Sequence, residues 1–424
     1  MKLLVSSPLL YWKKLIFILT AGWAIIFVYR ALLVPIYPVI SQYFGGVTNA
    51  QLGYISSCYF LGYVCMQIPS GLLVDKVGRK QILIPSFLIF AVGAATVALS
   101  SSLFTVYIGS LIAGIGCGTF YGVAYSFTAQ YVPASKKSLA TAIVNSGIAI
   151  GSSFGLISSS FLVGRGFLPW QYLIMIVIGF ILIMMFIFHR FILSEIKLSN
   201  ESTSVDTKSP AELIPTASAT PQVEMSLLRS LCRPQMIAAY ILYFSTLYTY
   251  YLIDTWLPNF LEVEKGVKAT SVGFMSSLAF FSAIPGALFF SYIADVFFKK
   301  KIQIIIALEV LAALCLFMAV YSVNTTVIAI SIIAYGFFGK LVVEPIIIAW
   351  LGQFASLKRL ATTYGVFNFF GMSSAVIVPS LTGYISDIMH SKSYAFYLAI
   401  TITLTGTLIF YLITKSTGDL KKSN

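Results

Sequence analysis

A chain of 424 residues that is 58% hydrophobic and only 10% charged exposes too much apolar surface to be a soluble globular protein. Its formal net charge of +13 raises nucleic acid as a partner, but the bases sit at alternating ends of apolar runs, as determinants of membrane topology do. The five cysteines lie in or beside apolar runs without metal-ligand spacing, so they read as small apolar side chains and no metal or cofactor is expected.

Taken in order, the apolar runs predict twelve membrane spans: 15–40, 50–73, 81–100, 103–131, 138–163, 168–190, 236–260, 270–293, 302–321, 325–352, 361–386 and 393–414. Each has the roughly 20 residues needed to cross the hydrocarbon. Lys2, Lys13 and Lys14 precede the first run, which is too long for a signal-peptide core and lacks a small-residue cleavage site, so it is expected to remain as a span. Between spans 6 and 7 lies a long polar segment rich in Ser, Thr, Pro and Glu, which reads as a flexible linker over 194–235. It divides the chain into bundles of six spans over 1–193 and 236–424. Lys and Arg concentrate at the N-terminus, at 76–80, 136–137, in the linker, at 299–301, at 358–359 and in the tail, against Arg165, Lys265, Lys268 and Lys392 on the other side. That asymmetry predicts that both termini and the linker are cytoplasmic.

The two halves repeat at an offset of 220 residues: Gly53-Tyr54-Ile55-Ser56-Ser57 overlies Gly273-Phe274-Met275-Ser276-Ser277, Pro38 falls on Pro258, and Asp75 falls on Asp295. So long a period is a duplicated bundle, not a solenoid. The stretch from Gly71 to Lys80, between spans 2 and 3, packs one acid, three bases and two glycines into ten residues. Gly78 can take the positive φ that a tight turn needs. Small residues on span 5 (Gly147, Gly151, Gly155) and span 4 (Gly114, Gly116, Gly118) mark close helix contacts.

The pattern Gly71-x-Leu73-x-Asp75-x-x-Gly78-Arg79-Lys80 resembles the loop between helices 2 and 3 of major facilitator superfamily transporters. That superfamily is itself the type case of two parallel six-helix halves with a substrate site between them near mid-membrane. The resemblance implies an all-α membrane protein of twelve transmembrane helices in two pseudo-symmetric six-helix bundles. It also implies a gating role for Gly71, Asp75, Gly78, Arg79 and Lys80, with Asp75 latching the cytoplasmic side in one state. In the second copy Ser291 and Phe298 replace the two glycines, so the first copy carries the stronger motif.

An ionisable group inside a span costs at least about 2.5 kcal/mol on insertion scales, so each needs a reason. Five stand there: Arg30, Asp254, Glu309, Lys340 and Glu344. Arg30 reads as an anion ligand or as a structural partner to an acid on another helix. Asp254, four residues before Pro258, reads as a proton-coupling group or gate partner, or else as an acid in an outward water-filled funnel or paired structurally with a base. Lys340 and Glu344 are four apart on one face, either an internal ion pair or an anion ligand beside a proton exchanger. Glu309 on span 9 reads as structural or snorkelling.

Arg30 after a Tyr-containing stretch, and Trp256-Leu257-Pro258-Asn259-Phe260-Leu261 on span 7, resemble the anion:cation symporter branch of the superfamily. That branch usually has Asp before the arginine, where this chain has Tyr29, and some members carry an acid in span 4, which this chain lacks, the neutral Gln130 standing near its end. In the superfamily helices 1, 4, 7 and 10 line the cavity, which would turn Arg30, Asp254, Lys340 and Glu344 inward. Tyr29, Tyr37, Tyr121, Tyr125, Tyr250, Trp350 and Asn368 are further candidates to line it. The expected function is secondary transport of a small organic anion, a sugar acid or carboxylate, coupled to protons, by a monomer in the cell membrane. Efflux of drugs, or transport of sugars or sugar phosphates, are the alternatives within the fold. A sensor would need a signalling domain that is not evident. An enzyme would need a nucleotide loop, metal cluster or nucleophile arrangement, and none is seen.

Overall fold

The computed structural model describes residues 8–132, 137–192, 231–354 and 360–418, and these fold into α-helices with no strand. Most of the linker expected at 194–235 lies outside them. Among the described residues fifteen α-helices make twelve passes. The first pass is α1 (Pro8–Leu32), a 3-10 turn (Val34–Ile36) and α2 (Tyr37–Tyr43). Spans 2 and 3 are α3 (Asn49–Val77) and α4 (Arg79–Ala98), and span 4 is α5 (Leu103–Gly118) with α6 (Phe120–Tyr131). Spans 5 and 6 are α7 (Lys137–Leu162) and α8 (Trp170–Phe191). The second half opens with α9 (Pro234–Val263), α10 (Ala269–Val296) and α11 (Lys301–Tyr321) as spans 7 to 9. Span 10 is α12 (Thr325–Phe338) with α13 (Lys340–Leu351), and α14 (Leu360–Met389) and α15 (Ser393–Ser416) complete the set. Ten of these passes meet the length and hydropathy of a membrane span within the described residues, and α3 and α7 have the length.

Twelve passes put Pro8 of the first helix and Ser416 of the last on one face, called here the terminal face. The expected spans are found within a few residues, but three of them are broken. Pro35 has no N–H to give, and the chain tightens into the 3-10 turn there. Span 4 is interrupted at Thr119, and span 10 breaks at Gly339, which is extended (φ −80°, ψ −157°) and ends α12. Pro258 sits inside a helix that continues to Val263.

Packing follows the repeat. Span 1 lies along span 5, and span 4 lies between spans 2 and 3; in the other half span 7 lies between spans 11 and 12. The halves meet along two seams, span 2 with span 11 and span 5 with span 8. The 220-residue offset turns span 2 into span 8 and span 5 into span 11, so the seams are one contact seen twice. The repeated motif marks both. A Cβ on Gly53 would collide with the Pro379 carbonyl, and one on Gly273 with the Leu156 carbonyl. The glycines of spans 4 and 5 work inside a half: Gly114 faces the Tyr59 backbone, and Gly147, Gly151 and Gly155 face Thr20, Ala24 and Val28 of span 1. Small residues let these backbones approach.

Candidate functional site

Arg30 lies two residues before the end of α1 and Asp254 two turns from the end of α9, and the seams bring them together. The Arg30 guanidinium donates to the Asp254 carboxylate in an ion pair that joins the two halves, with side-chain exposures of only 9% and 8%. Phe27, Phe60 and Tyr251 surround the same guanidinium, their ring centroids 4.8, 4.6 and 5.1 Å from its carbon. A cation out of water is here held by aromatic faces and one carboxylate. A small crevice beside it is lined by Tyr29, Ser56, Tyr59 and Ser110.

Lys340 opens α13 directly after the break at Gly339, and Glu344 follows one turn later. Their side chains pair at 2.8 Å and are 12% and 24% exposed, wetter than the first pair. The Lys340 ammonium lies 5.0 Å from the Tyr250 ring, and Tyr243 donates a hydrogen bond to Glu344. The two pairs feel each other: Asp254 interacts electrostatically with Lys340, and Tyr250 with both carboxylates. Tyr121, 40% exposed on span 4, stands within electrostatic reach of Glu344 across the interface. Spans 1, 7 and 10 thus contribute two bases and two acids whose formal charges cancel, with Tyr121 of span 4 beside them.

The other candidates fall elsewhere. Tyr29 turns into the first half, against Phe90 and Tyr59, with its hydroxyl buried and unpartnered. Tyr37 is fully buried toward the face opposite the termini, hydrogen-bonded to Ser56 and edge-on to Trp256. The Trp256 indole donates to the Pro379 carbonyl, which ties the span 7 motif to span 11. Asn368 lies nearer the terminal face, where its amide donates to Gln67 of the other half at 3.0 Å. Trp350 is not a cavity residue: it is buried within the second half against Phe354 and Phe410. Glu309 does not snorkel. It is 2% exposed and accepts a hydrogen bond from Thr246 of span 7. The Tyr125 side chain lies outside those described.

In the loop after span 2, Gly78 has φ +94°, the left-handed backbone its position was expected to need. Lys80 donates to the carbonyls of His189 and Ile192, both at 2.6 Å, and so caps the end of span 6. The Arg79 guanidinium lies 5.6 Å from the Phe127 ring of span 4. Gly71 and Asp75 lie in α3, and their side-chain surroundings are outside those described.

Sequence reasoning passed over Tyr251, Phe60, Tyr243 and Gln67. Only Tyr251 left a trace, three residues before Asp254 and so on its face of the helix.

A twelve-span fold in two related halves, with an ion pair buried between them, defines a multi-pass membrane protein, and its family and relatives make it a transporter and not an enzyme. The chain belongs to the Major Facilitator Superfamily, whose family model matches residues 19–379, with a second match over 240–424. It is 24% identical to the D-galactonate transporter of Escherichia coli O6:H1, over 89% of each chain. It is 26% identical to the probable galactarate/D-glucarate transporter GarP of Escherichia coli K12, over 89% of this chain and 88% of that one. It is 21% identical to the hexuronate transporter of Bacillus subtilis, over 83% of each. These relatives bear out the resemblance to the anion:cation symporter branch. The fold superposes on a bacterial homologue of the human lysosomal transporter Spinster, in an inward-facing, unoccupied conformation, with a TM-score of 0.72, 14% identity and 99% of each chain covered.

Proposed function

We propose that the protein carries a sugar-acid anion across the cell membrane together with protons, by alternating exposure of a site between its halves. In this reading the terminal face is cytoplasmic, and 194–235 links bundles 1–193 and 236–424. The observation that carries it is the charge-balanced cluster Arg30–Asp254 and Lys340–Glu344 at the interface between the halves. Its support outside the chain is that sequence relatives are named for galactonate, galactarate/D-glucarate and hexuronate transport.

The coupling follows from the cost of breaking a buried pair. Removing one partner of such a pair costs about 3–5 kcal/mol, because the other charge is left uncompensated. An anion that took Arg30 alone would strand the Asp254 carboxylate. A proton that took Asp254 alone would strand Arg30. Anion and proton arriving together leave every charge paired, so each favours the other. The same exchange applies to Lys340 and Glu344, where the greater exposure makes it less stringent. Arg30 then holds the substrate carboxylate, Lys340 a second oxygen, Tyr121 and Tyr250 border the sugar, and Asp254 and Glu344 take the protons.

The test is uptake into proteoliposomes of a panel of aldonates, aldarates and hexuronates, with and without an inward proton gradient. Gradient-stimulated uptake of at least one is expected, and Arg30→Ala should abolish its binding. Uptake of hydrophobic cations with no uptake of anions would overturn the reading, as would an unchanged dissociation constant in Arg30→Ala.

A further inference from the structure

The start of span 2 is capped from two sources. Thr48 and Gln51 form a capping box: the Thr48 N–H donates to Gln51 Oε1 at 2.8 Å, and the Gln51 N–H to Thr48 Oγ1 at 3.3 Å. The box serves the first and fourth free N–H groups of the helix and leaves those of Asn49 and Ala50. Both are taken by a residue of the other half. The Asp387 carboxylate, near the end of span 11, accepts from the Asn49 N–H and the Ala50 N–H at 2.9 and 2.8 Å, and from Asn49 Nδ2 at 2.9 Å. A carboxylate on a helix N-terminus also gains from the helix dipole. One turn before it, Gly383 permits the approach, since a Cβ there would collide with the Asn49 carbonyl.

At the related seam a neutral hydroxyl makes the contact across the halves. There the Ser160 hydroxyl donates to the Ala269 carbonyl and accepts from the Gly273 N–H at 3.1 Å. Residue 167, which overlies Asp387 at the 220-residue offset, is phenylalanine.

We propose that Asp387 is the latch that holds the halves together at the face opposite the termini, by completing the N-terminal cap of a helix in the other half. Parting of the halves at that face strands two backbone N–H groups and one carboxylate. Closure satisfies all three at once, so the contact has two discrete states. Its position away from the paired charges makes it a device for setting which face is open, independent of what is carried.

The experiment is distance measurement by pulsed electron paramagnetic resonance on the full chain in lipid nanodiscs, with native cysteines replaced. One label pair, at the exposed positions Phe104 and Val323, spans the halves at the latched face. A second, at Phe191 and Phe297, spans them at the terminal face. Asp387→Asn should move the ratio of open to closed forms at the latched face about tenfold toward open. The first distance then lengthens while the second shortens. Asn49→Ala, which removes one of the three bonds, should give a smaller shift in the same directions. Unchanged distances in both variants would overturn the proposal. So would lengthening of both pairs together, which would mean that Asp387 only maintains the fold.

Discussion

Arg30 and Asp254 share a site so poor in water that neither tolerates loss of the other, whereas Lys340 and Glu344 stand at a wetter edge of the same cluster. The proposed exchange fixes the sign of the pH dependence. Protonated carboxylates free the two bases, so anion affinity should be highest at low pH and fall as pH rises. In the double variant Asp254→Asn/Glu344→Gln both acids are permanently neutral, and calorimetric titration at several pH values should find that fall abolished. Glu309 has a different character. Its bond to Thr246 needs only an acceptor, so Glu309→Gln should keep transport and melting temperature near wild type. Glu309→Lys buries an unpaired cation at a cost of about 3 kcal/mol and should sharply lower the melting temperature in detergent. All five buried charges could be found in the sequence, because an ionisable residue in an apolar run demands a reason wherever it points. Their partners could not. Arg30 and Asp254 are 224 positions apart, and nothing in either span states that they meet. The aromatic box around Arg30 was hidden for the opposite reason: with 15% aromatics in the chain, Phe60 and Tyr251 stand out from nothing. The same abundance made Trp350 look like a cavity residue when it is packing.

At the scale of helices, the glycines divide into two kinds that the sequence did not separate. Gly114 lies within one half against the Tyr59 backbone, while Gly273 lies on the seam between halves against Leu156. An added side chain at either forces backbones apart, at about 1–3 kcal/mol for overpacking. The consequences should differ. Gly114→Val strains a contact present throughout the cycle, and is expected to lower the melting temperature and the yield of folded protein. Gly273→Val strains a contact that exists only while the halves are closed on that face. It should leave folding nearly intact, cut the rate of uptake, and shift the nanodisc distances toward the form open at the latched face. Thermal melts beside uptake assays of the two variants separate the cases. The repeat Gly53/Gly273 was readable as duplication, but its use as a seam required knowing that spans 2 and 8 meet spans 11 and 5. The helix breaks were less readable still. Apolar composition runs without change through Gly339, yet the break there lets Lys340 begin a new helix with Glu344 one turn below it.

Over the whole molecule, the proposed exchange becomes a statement about charge movement. The resting cluster holds two bases and two acids and is neutral, so what crosses the membrane is the sum of substrate and protons alone. If both carboxylates load, an aldonate carrying one negative charge crosses with one net positive charge, and an aldarate carrying two crosses with none. A membrane potential acts on net charge at about 2.3 kcal/mol per 100 mV. Negative-inside potassium-diffusion potentials in proteoliposomes should therefore raise aldonate accumulation by roughly fiftyfold per 100 mV and leave aldarate accumulation unmoved. Glu344→Gln removes one proton from the count. Aldonate uptake should then become insensitive to potential, and aldarate uptake should be opposed by it, because the substrate and its single proton together carry one net negative charge. A wild-type protein in which both substrates respond alike to potential would show that the proton count is not fixed at two but follows the charge of the substrate.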